Sequence, residues 1–406
     1  MKWEAVTLGE VSASIQTGPF GSQLHQSDYS ESGTPVVMPK DLINGRISTE
    51  SIARVSDDHV ERLSRHKILP GDILYSRRGD VGRCAFATEN EADWLCGTGC
   101  LRVTIDREKA NPKFIFYQLQ TAKSVGWVEK HAVGATMLNL NTGILSAVPV
   151  SLPPLNTQNR IVEILSAYDD LIENNQNQIK LLEEAAQRLY KEWFINLRFP
   201  GYETTPVHDG VPEGWERNRA DSFFEITIGK TPPRAEKQWF VSENSGIPWV
   251  SISDMGNAGA FVFDTAEALT DDAIDKHNVK VIPSGTVFLS FKLTVGRVSI
   301  ATKKMCTNEA IAHFKVDDTL RSYTYLYLKA FEYDKLGNTS AISQAVNSKI
   351  IKAMPFVMPD KKTLMLFSTV ASPLLNEIYK KQAQNRLLVE ARDRLLPKLM
   401  SGEIEV

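Results

Sequence analysis

The sequence predicts an α+β protein assembled twice over. Two strand-rich globular domains are held apart by two long antiparallel helices that form a coiled coil, giving pseudo-twofold symmetry. Three observations predict it: a repeat covering about half the chain, a helical seam unbroken for five heptads, and short strand-like runs punctuated by glycine and proline before each helix.

The repeat is the strongest signal. Leu181-Leu182-Glu183-Glu184-Ala185-Ala186-Gln187-Arg188-Leu189 returns 206 residues later as Leu387-Leu388-Val389-Glu390-Ala391-Arg392-Asp393-Arg394-Leu395. At the same offset Pro149 matches Pro355, Pro153 matches Pro359, Asn141 matches Asn347 and Ile172 matches Ile378. Further upstream Ser76, Val81-Gly82-Arg83 and Ala87-Thr88 match Ser290, Val295-Gly296-Arg297 and Ala301-Thr302, now at an offset of 214. A period this long is a duplicated domain rather than a solenoid unit. Duplication implies a pseudo-twofold molecule, and the commonest extended target with two halves is double-stranded DNA.

Residues 1–155 form the first strand-rich domain, with runs such as Thr34-Pro35-Val36-Val37 and Ile73-Leu74-Tyr75-Ser76 and one helical patch opened by Asn111-Pro112. Residues 156–200 carry the first long helix. Its apolar positions Ile161, Leu165, Tyr168, Ile172, Asn175, Ile179, Leu182, Ala186, Leu189 and Trp193 step by four and three, a coiled-coil seam in which Asn175 is the register-fixing polar residue. A Pro/Gly-rich linker, 201–214, leads to the second strand-rich domain, 215–361. The second long helix, 362–406, has the seam Phe367, Ala371, Leu374, Ile378, Lys381, Asn385, Leu388, Arg392, Leu395 and Leu399, with Ser372-Pro373 as a cap or kink and Pro397 as its stop. Each seam taken alone is ordinary core packing; its length suits a spacer.

Composition narrows the function. At 406 residues with 42% hydrophobic and 23% charged content, the chain is globular. No apolar run approaches the ~20 residues of a membrane span and no signal segment opens the sequence, so a cytoplasmic location without a membrane partner is expected. Cys84, Cys96, Cys100 and Cys306 contain no C-x-x-C pair; buried thiols of a reducing compartment are favoured over half a metal site at Cys96 and Cys100. Net charge is −3, so a nucleic-acid binder of this composition must gather cations locally. Arg62, Arg65, His66, Lys67, Arg77, Arg78 and Arg83 are such a gathering, or else a solvated basic surface.

Catalytic motifs are missing. Gly229-Lys230-Thr231 imitates the end of a phosphate-binding loop, but the required upstream glycine is Phe224. The proline pairs Pro153-Pro154 and Pro232-Pro233 lack the context of an amino-group methyltransferase motif, and the histidines have no metal-ligand spacing. The chain reads as non-catalytic, with no metal site.

Leu152-Pro153-Pro154-Leu155-Asn156-Thr157-Gln158-Asn159-Arg160-Ile161-Val162, leading into Leu181–Phe194 and Arg198-Phe199-Pro200-Gly201, resembles the central conserved region of type I restriction-modification specificity subunits. Val211-Pro212-Glu213-Gly214-Trp215-Glu216 resembles the family's lead-in to a target recognition domain, and Leu395–Ile404 its C-terminal region. The resemblance implies that each strand-rich domain reads one half of a bipartite, asymmetric DNA sequence while the helices set the gap. It also implies docking of two modification subunits, which bind S-adenosylmethionine and methylate adenine. Two restriction subunits would carry ATP and Mg2+, and this chain would bind no cofactor itself. The alternative is a coiled-coil scaffold with two ligand-binding domains and no DNA role.

Base reading calls for side chains with hydrogen-bonding forks and for loops that approach phosphate closely. In the first domain the candidates are Ser22, Gln23, His25, Lys40, Arg77, Arg78, Thr98 and Thr136. Corresponding places in the second give Lys230, Arg234, Ser253, Lys292, Thr294, Asn308 and Gln344. The change from Arg77-Arg78 to Phe291-Lys292 at matching positions predicts two different half-sites. For partner docking the outer helix face near Arg188, Tyr190, Lys191 and Phe194 is the candidate, with Trp193-Phe194 alternatively closing the coiled coil.

Overall fold

The computed structural model describes residues 3–134, 138–242, 245–336 and 346–406. The chain divides into two compact units, one of Met1–Asp170 with Leu388–Val406 (unit 1) and one of Leu171–Leu387 (unit 2).

In unit 1, Glu4–Thr7 pairs antiparallel with Pro149–Leu152, Glu4 opposite Leu152, so the strand that opens the unit lies beside the one that leads out of its globular part. A four-stranded antiparallel sheet follows in the order Ser12–Thr17, Cys100–Ile105, Ile73–Ser76, Cys84–Phe86. The other four-stranded sheet runs Leu95–Cys96, Thr34–Val37, Ala53–Val55, Tyr29–Ser30, with Leu95–Cys96 parallel to Thr34–Val37. The helix Pro112–Leu119 starts where the Asn-Pro signal puts it, because the Asn111 side chain accepts from the Lys113 and Phe114 amides. Its apolar residues join Ile73, Tyr75, Leu101 and Val103 in a core that also takes Ile161, Leu165, Leu399 and Met400 from the two long helices.

Unit 2 repeats this plan. Glu216–Arg219 pairs antiparallel with Pro355–Met358. Its larger sheet has the order Glu225–Ile228, Ile311–Lys315, Val287–Ser290, Val298–Ala301, extended by Phe261–Val262. Its other sheet, Cys306–Thr307, Ile247–Val250, Glu267–Leu269, Phe240–Val241, keeps even the parallel first pair. Duplication is therefore written into topology as well as sequence. The core is more aromatic: Tyr190, Phe194, Phe199, Trp215, Phe224, Phe314, Tyr323, Phe356 and Phe367 pack together. Between Phe199 and Trp215 the expected linker holds a small hairpin, Val207–His208 with Val211–Pro212.

The first long helix spans Leu155–Tyr190 and continues as a π-helical turn, Lys191–Ile195. The second spans Lys361–Ser401. None of the seam positions named from the sequence is exposed. Within unit 2 the helices pair antiparallel, Asn175 meeting Asn385 while Trp193 meets Phe367. In unit 1, Asp169 meets Arg392. Two expectations for the second helix are corrected. It continues unbroken through Ser372-Pro373, so that pair does not cap it, and through Pro397, the expected stop. Both proline rings are exposed, so each costs the helix one backbone bond while its neighbours stay packed, Leu375 and Ile378 around the first and Leu399 and Met400 around the second. The stop is Gly402, in the left-handed region at φ +73.

Among the described residues, no helix is long and apolar enough to cross a membrane and no cluster of His, Cys, Asp or Glu could hold a metal ion. All four cysteines are buried free thiols; burial pushes Cys84, Cys96 and Cys306 each up to about 12.

Candidate nucleic-acid interface

In unit 1, four loops meet at one end of the antiparallel sheet. The Gly18 amide donates to Cys100 O (2.9 Å), and a Cβ on Gly18 would lie 2.0 Å from Gly97 O, so only glycine lets these strands of loop pass. Thr98 Oγ1 donates to Pro19 O (3.0 Å). The Arg77 amide donates to Gly99 O (2.8 Å), the Leu140 amide to Arg77 O (2.8 Å) and the Gly79 amide to Leu138 O (3.1 Å). The Arg77 guanidinium stands over the exposed Phe20 ring, 5.9 Å from its centre, with its Nε buried and unpartnered among the described residues. This cluster collects Ser22, Gln23, His25, Arg77, Arg78 and Thr98. Ser22, Gln23, His25 and Arg78 are exposed. Gln23 Oε1 is already used by the Phe20 amide (3.0 Å), which leaves its NH₂ to donate. Lys40 is exposed beside this group, but its amine donates to Ser51 O (2.8 Å). Thr136 lies outside the described residues.

The basic stretch is thinner in three dimensions than in sequence. Lys67 meets Asp93 at 3.5 Å, Arg83 meets Asp80 at 2.9 Å, and Arg62 bonds Gln23 O (3.0 Å) beside Asp28. His66 is buried, and desolvation lowers its pKa, so it carries no charge at neutral pH. Arg65, Arg77 and Arg78 remain without an acidic partner among the described residues. Exposed pairs such as Arg62 and Arg83 are held by only ~0–1 kcal/mol and can exchange a carboxylate for a phosphate.

Unit 2 builds the same frame. The Gly229 amide donates to Ile311 O (3.1 Å), and a Cβ there would lie 2.1 Å from Asn308 O. The Phe291 amide donates to Ala310 O (2.9 Å) and the Val346 amide to Phe291 O (3.1 Å), the bonds Arg77 makes in unit 1. The Lys230 amide donates to Thr307 O (2.9 Å) and the Asn308 amide to Val250 O (3.0 Å). Lys230, Lys292, Thr294 and Asn308 are thereby brought together. Exposed Ser253 sits next to them on the first turn of the helix Ile252–Ala258. Asn308 Oδ1 accepts from the Ala310 amide (3.1 Å). Gln344 lies outside the described residues.

Three sequence expectations are corrected. Arg234 does not offer a free fork: it grips Glu267 with two bonds (2.9 and 2.7 Å) and stacks over Phe240 and Trp249 at 4.1 and 4.5 Å, tying the smaller sheet together. Tyr190 and Phe194 are no docking surface. They are 4% and 9% exposed, and Phe194 packs on Tyr323, Phe367 and Trp215 at 4.7, 4.8 and 5.6 Å. The missed signal was that Tyr190 and Phe194 continue from the seam residue Ala186 in steps of four, which widens the buried stripe beyond the seam. Arg188 and Lys191 are exposed as expected. Sequence reasoning also passed over Phe20 and Leu293, both exposed apolar residues within these loops.

A chain that sets two like-framed loop clusters, one per unit, and fills them with unlike side chains is by class a two-headed recognition protein. The family model described as type I restriction modification DNA specificity domain matches residues 1–184 and 212–382. The chain belongs to that family. It is 23% identical to the type I restriction enzyme HindI specificity subunit of Haemophilus influenzae over 99% of both chains. It is 26% identical to the MjaIX specificity subunit of Methanocaldococcus jannaschii over 93% of this chain and 88% of that one. Its fold is that of the crystal structure of a type I restriction-modification S subunit from M. genitalium, with a TM-score of 0.60, 15% identity, and coverage of 98% of this chain and 96% of the other.

Proposed function

We propose that this chain is the DNA sequence-specificity subunit of a type I restriction-modification complex. The loop cluster of each unit reads one half of a bipartite target, and the long helices set the gap and dock the catalytic subunits. One observation carries this reading: the two clusters share their backbone bonds but differ in their tips, Arg77-Arg78 against Phe291-Lys292. A shared frame with different hydrogen-bonding groups suits an asymmetric target. The chain does no chemistry of its own. S-adenosylmethionine belongs to two modification subunits that methylate adenine, and ATP with Mg2+ to two restriction subunits, all in the cytoplasm.

Methylome sequencing of a host expressing the chain with its modification subunit tests this. Adenine methylation at one split, asymmetric sequence is expected, and its absence refutes the proposal. The isolated chain should bind DNA weakly and lose affinity steeply with salt, as phosphate contacts dominate.

A further inference from the structure

The hairpin turn that carries Arg77-Arg78 in unit 1 and Lys292 in unit 2 has the same closing bond. The Ser76 amide donates to Arg83 O and the Ser290 amide to Arg297 O, both at 2.9 Å. Both turns have left-handed backbone at one shared position, and the turn of unit 2 has a second such residue in Gly296, φ +91. Unit 1 supplies Gly79, φ +75; at the matching place unit 2 supplies Leu293, φ +63. Glycine adopts that conformation freely, whereas a leucine there is strained. The strain is compounded because the Thr294 amide donates across Leu293 to Lys292 O (2.7 Å), a γ-turn of the rare kind with positive φ at its centre. Ser290 fastens the turn, donating Oγ–H to Thr294 O (2.5 Å) and accepting from the Arg297 amide (3.0 Å).

Leu293 gains nothing from this in the folded chain. It is 79% exposed, the most exposed large hydrophobic residue described, and belongs to no core cluster. A side chain that is strained, apolar and out in solvent, between Lys292 and Thr294, has the properties of one whose partner is missing.

We propose that Leu293 reads DNA: its side chain packs against the 5-methyl group of a thymine in the major groove of the half-site bound by unit 2. This rests on the specificity-subunit reading above. Leucine has neither donor nor acceptor, so the one feature on the major-groove floor it can select is the thymine methyl. Lys292, whose amine lies 5.7 Å from the Phe291 ring centre, stands beside it as a phosphate contact. In unit 1 the matching Gly79 has no side chain to offer, although a Cβ there would meet nothing within 4 Å, so the reading falls to Arg77 and Arg78.

The test uses the full chain with its modification subunit and the duplex carrying the methylated site. If the wild-type complex methylates no bipartite site, the specificity reading fails before Leu293 is tested. Otherwise the half-site of unit 1 is assigned with Arg77→Ala. In the other half each thymine is replaced in turn by deoxyuridine, which removes only the methyl. One replacement should weaken wild-type binding by roughly fourfold, the worth of one buried methyl-sized group. Leu293→Gly should lose the same factor on the thymine duplex, become indifferent to that replacement, and melt no lower than wild type. Leu293→Asn, which tolerates left-handed backbone, should lose the thymine preference likewise. Unchanged affinity in both variants, losses that add to those of deoxyuridine at every position, or a unit 2 half-site without an A·T pair would overturn the proposal.

Discussion

Replacing Asn175 by alanine should destabilise unit 2 by about 2 kcal/mol. The Asn175 carboxamide is buried in the helix seam, donating Nδ2–H to Asn385 Oδ1 (2.8 Å) and Gln384 Oε1 (3.1 Å) and accepting from Lys381 Nζ (3.3 Å). Asn385 in turn donates to Ile172 O (3.3 Å). A net hydrogen bond contributes ~1 kcal/mol, more when a buried partner is left unsatisfied. Gln384 is exposed and Lys381 half-exposed, so water replaces much of what those two lose; the cost concentrates on half-buried Asn385. For a unit of this size ~2 kcal/mol lowers the melting temperature by about 4–8 °C. Scanning calorimetry on the full chain reads this directly. A double-mutant cycle with Asn385→Ala should show coupling of about 1 kcal/mol. Replacing Asn175 and Asn385 together by leucine should restore stability, because no polar partner is then stranded between them. A loss under ~0.5 kcal/mol for Asn175→Ala, with zero coupling, would refute the idea that this polar layer fixes the register.

Phe194→Ala should cost about 3–5 kcal/mol as a core truncation, seen as a lower urea midpoint for unit 2; a folded variant defective only in subunit assembly would contradict the packing described. His313 is buried with Nδ1 beside Thr227 Oγ1 (2.9 Å) and Nε2 beside Thr307 Oγ1 (2.7 Å), and burial holds its pKa down to about 4. Its depressed pKa means the unfolded chain takes up the proton first. Stability is therefore full above ~6.5 and falls by up to ~1.4 kcal/mol per pH unit as pH drops from there towards 4. Urea midpoints between pH 7.5 and 4.5 should show a shallower fall in His313→Gln. Arg77→Ala and Arg78→Ala should each weaken recognition of one half-site by ~1–3 kcal/mol per lost base contact, measured as methylation rate on duplexes altered in either half. Equal loss for changes in both halves would argue against independent readers.

The long-period repeat and the two seams were legible because both are local patterns that any stretch of sequence displays by itself. Strand order was not: nothing around Leu95-Cys96 announces a parallel neighbour sixty residues earlier at Thr34–Val37. Local signals also misled where packing overrode them. Pro397 looks like a stop until Leu399 and Met400 are seen in the core of unit 1. Arg234 looks like a base-reading fork until Glu267 is found beneath it. The loop clusters were half legible, since framework matches placed Arg77 opposite Phe291. The left-handed demand on Leu293 shows only when its turn is laid over that of Gly79.

The division of the chain has a consequence for its synthesis. Unit 2 is one continuous stretch, whereas unit 1 is completed by Leu388–Val406. Leu395, Leu396, Leu399, Met400 and Ile404 must reach Ile161 and Leu165 before that first core is closed. At ~5–20 residues per second a ribosome needs roughly 10–40 s to make the intervening stretch. Throughout that interval the nascent chain carries an uncovered apolar stripe on its first long helix, a ready target for chaperones. The body made first is the last to be finished.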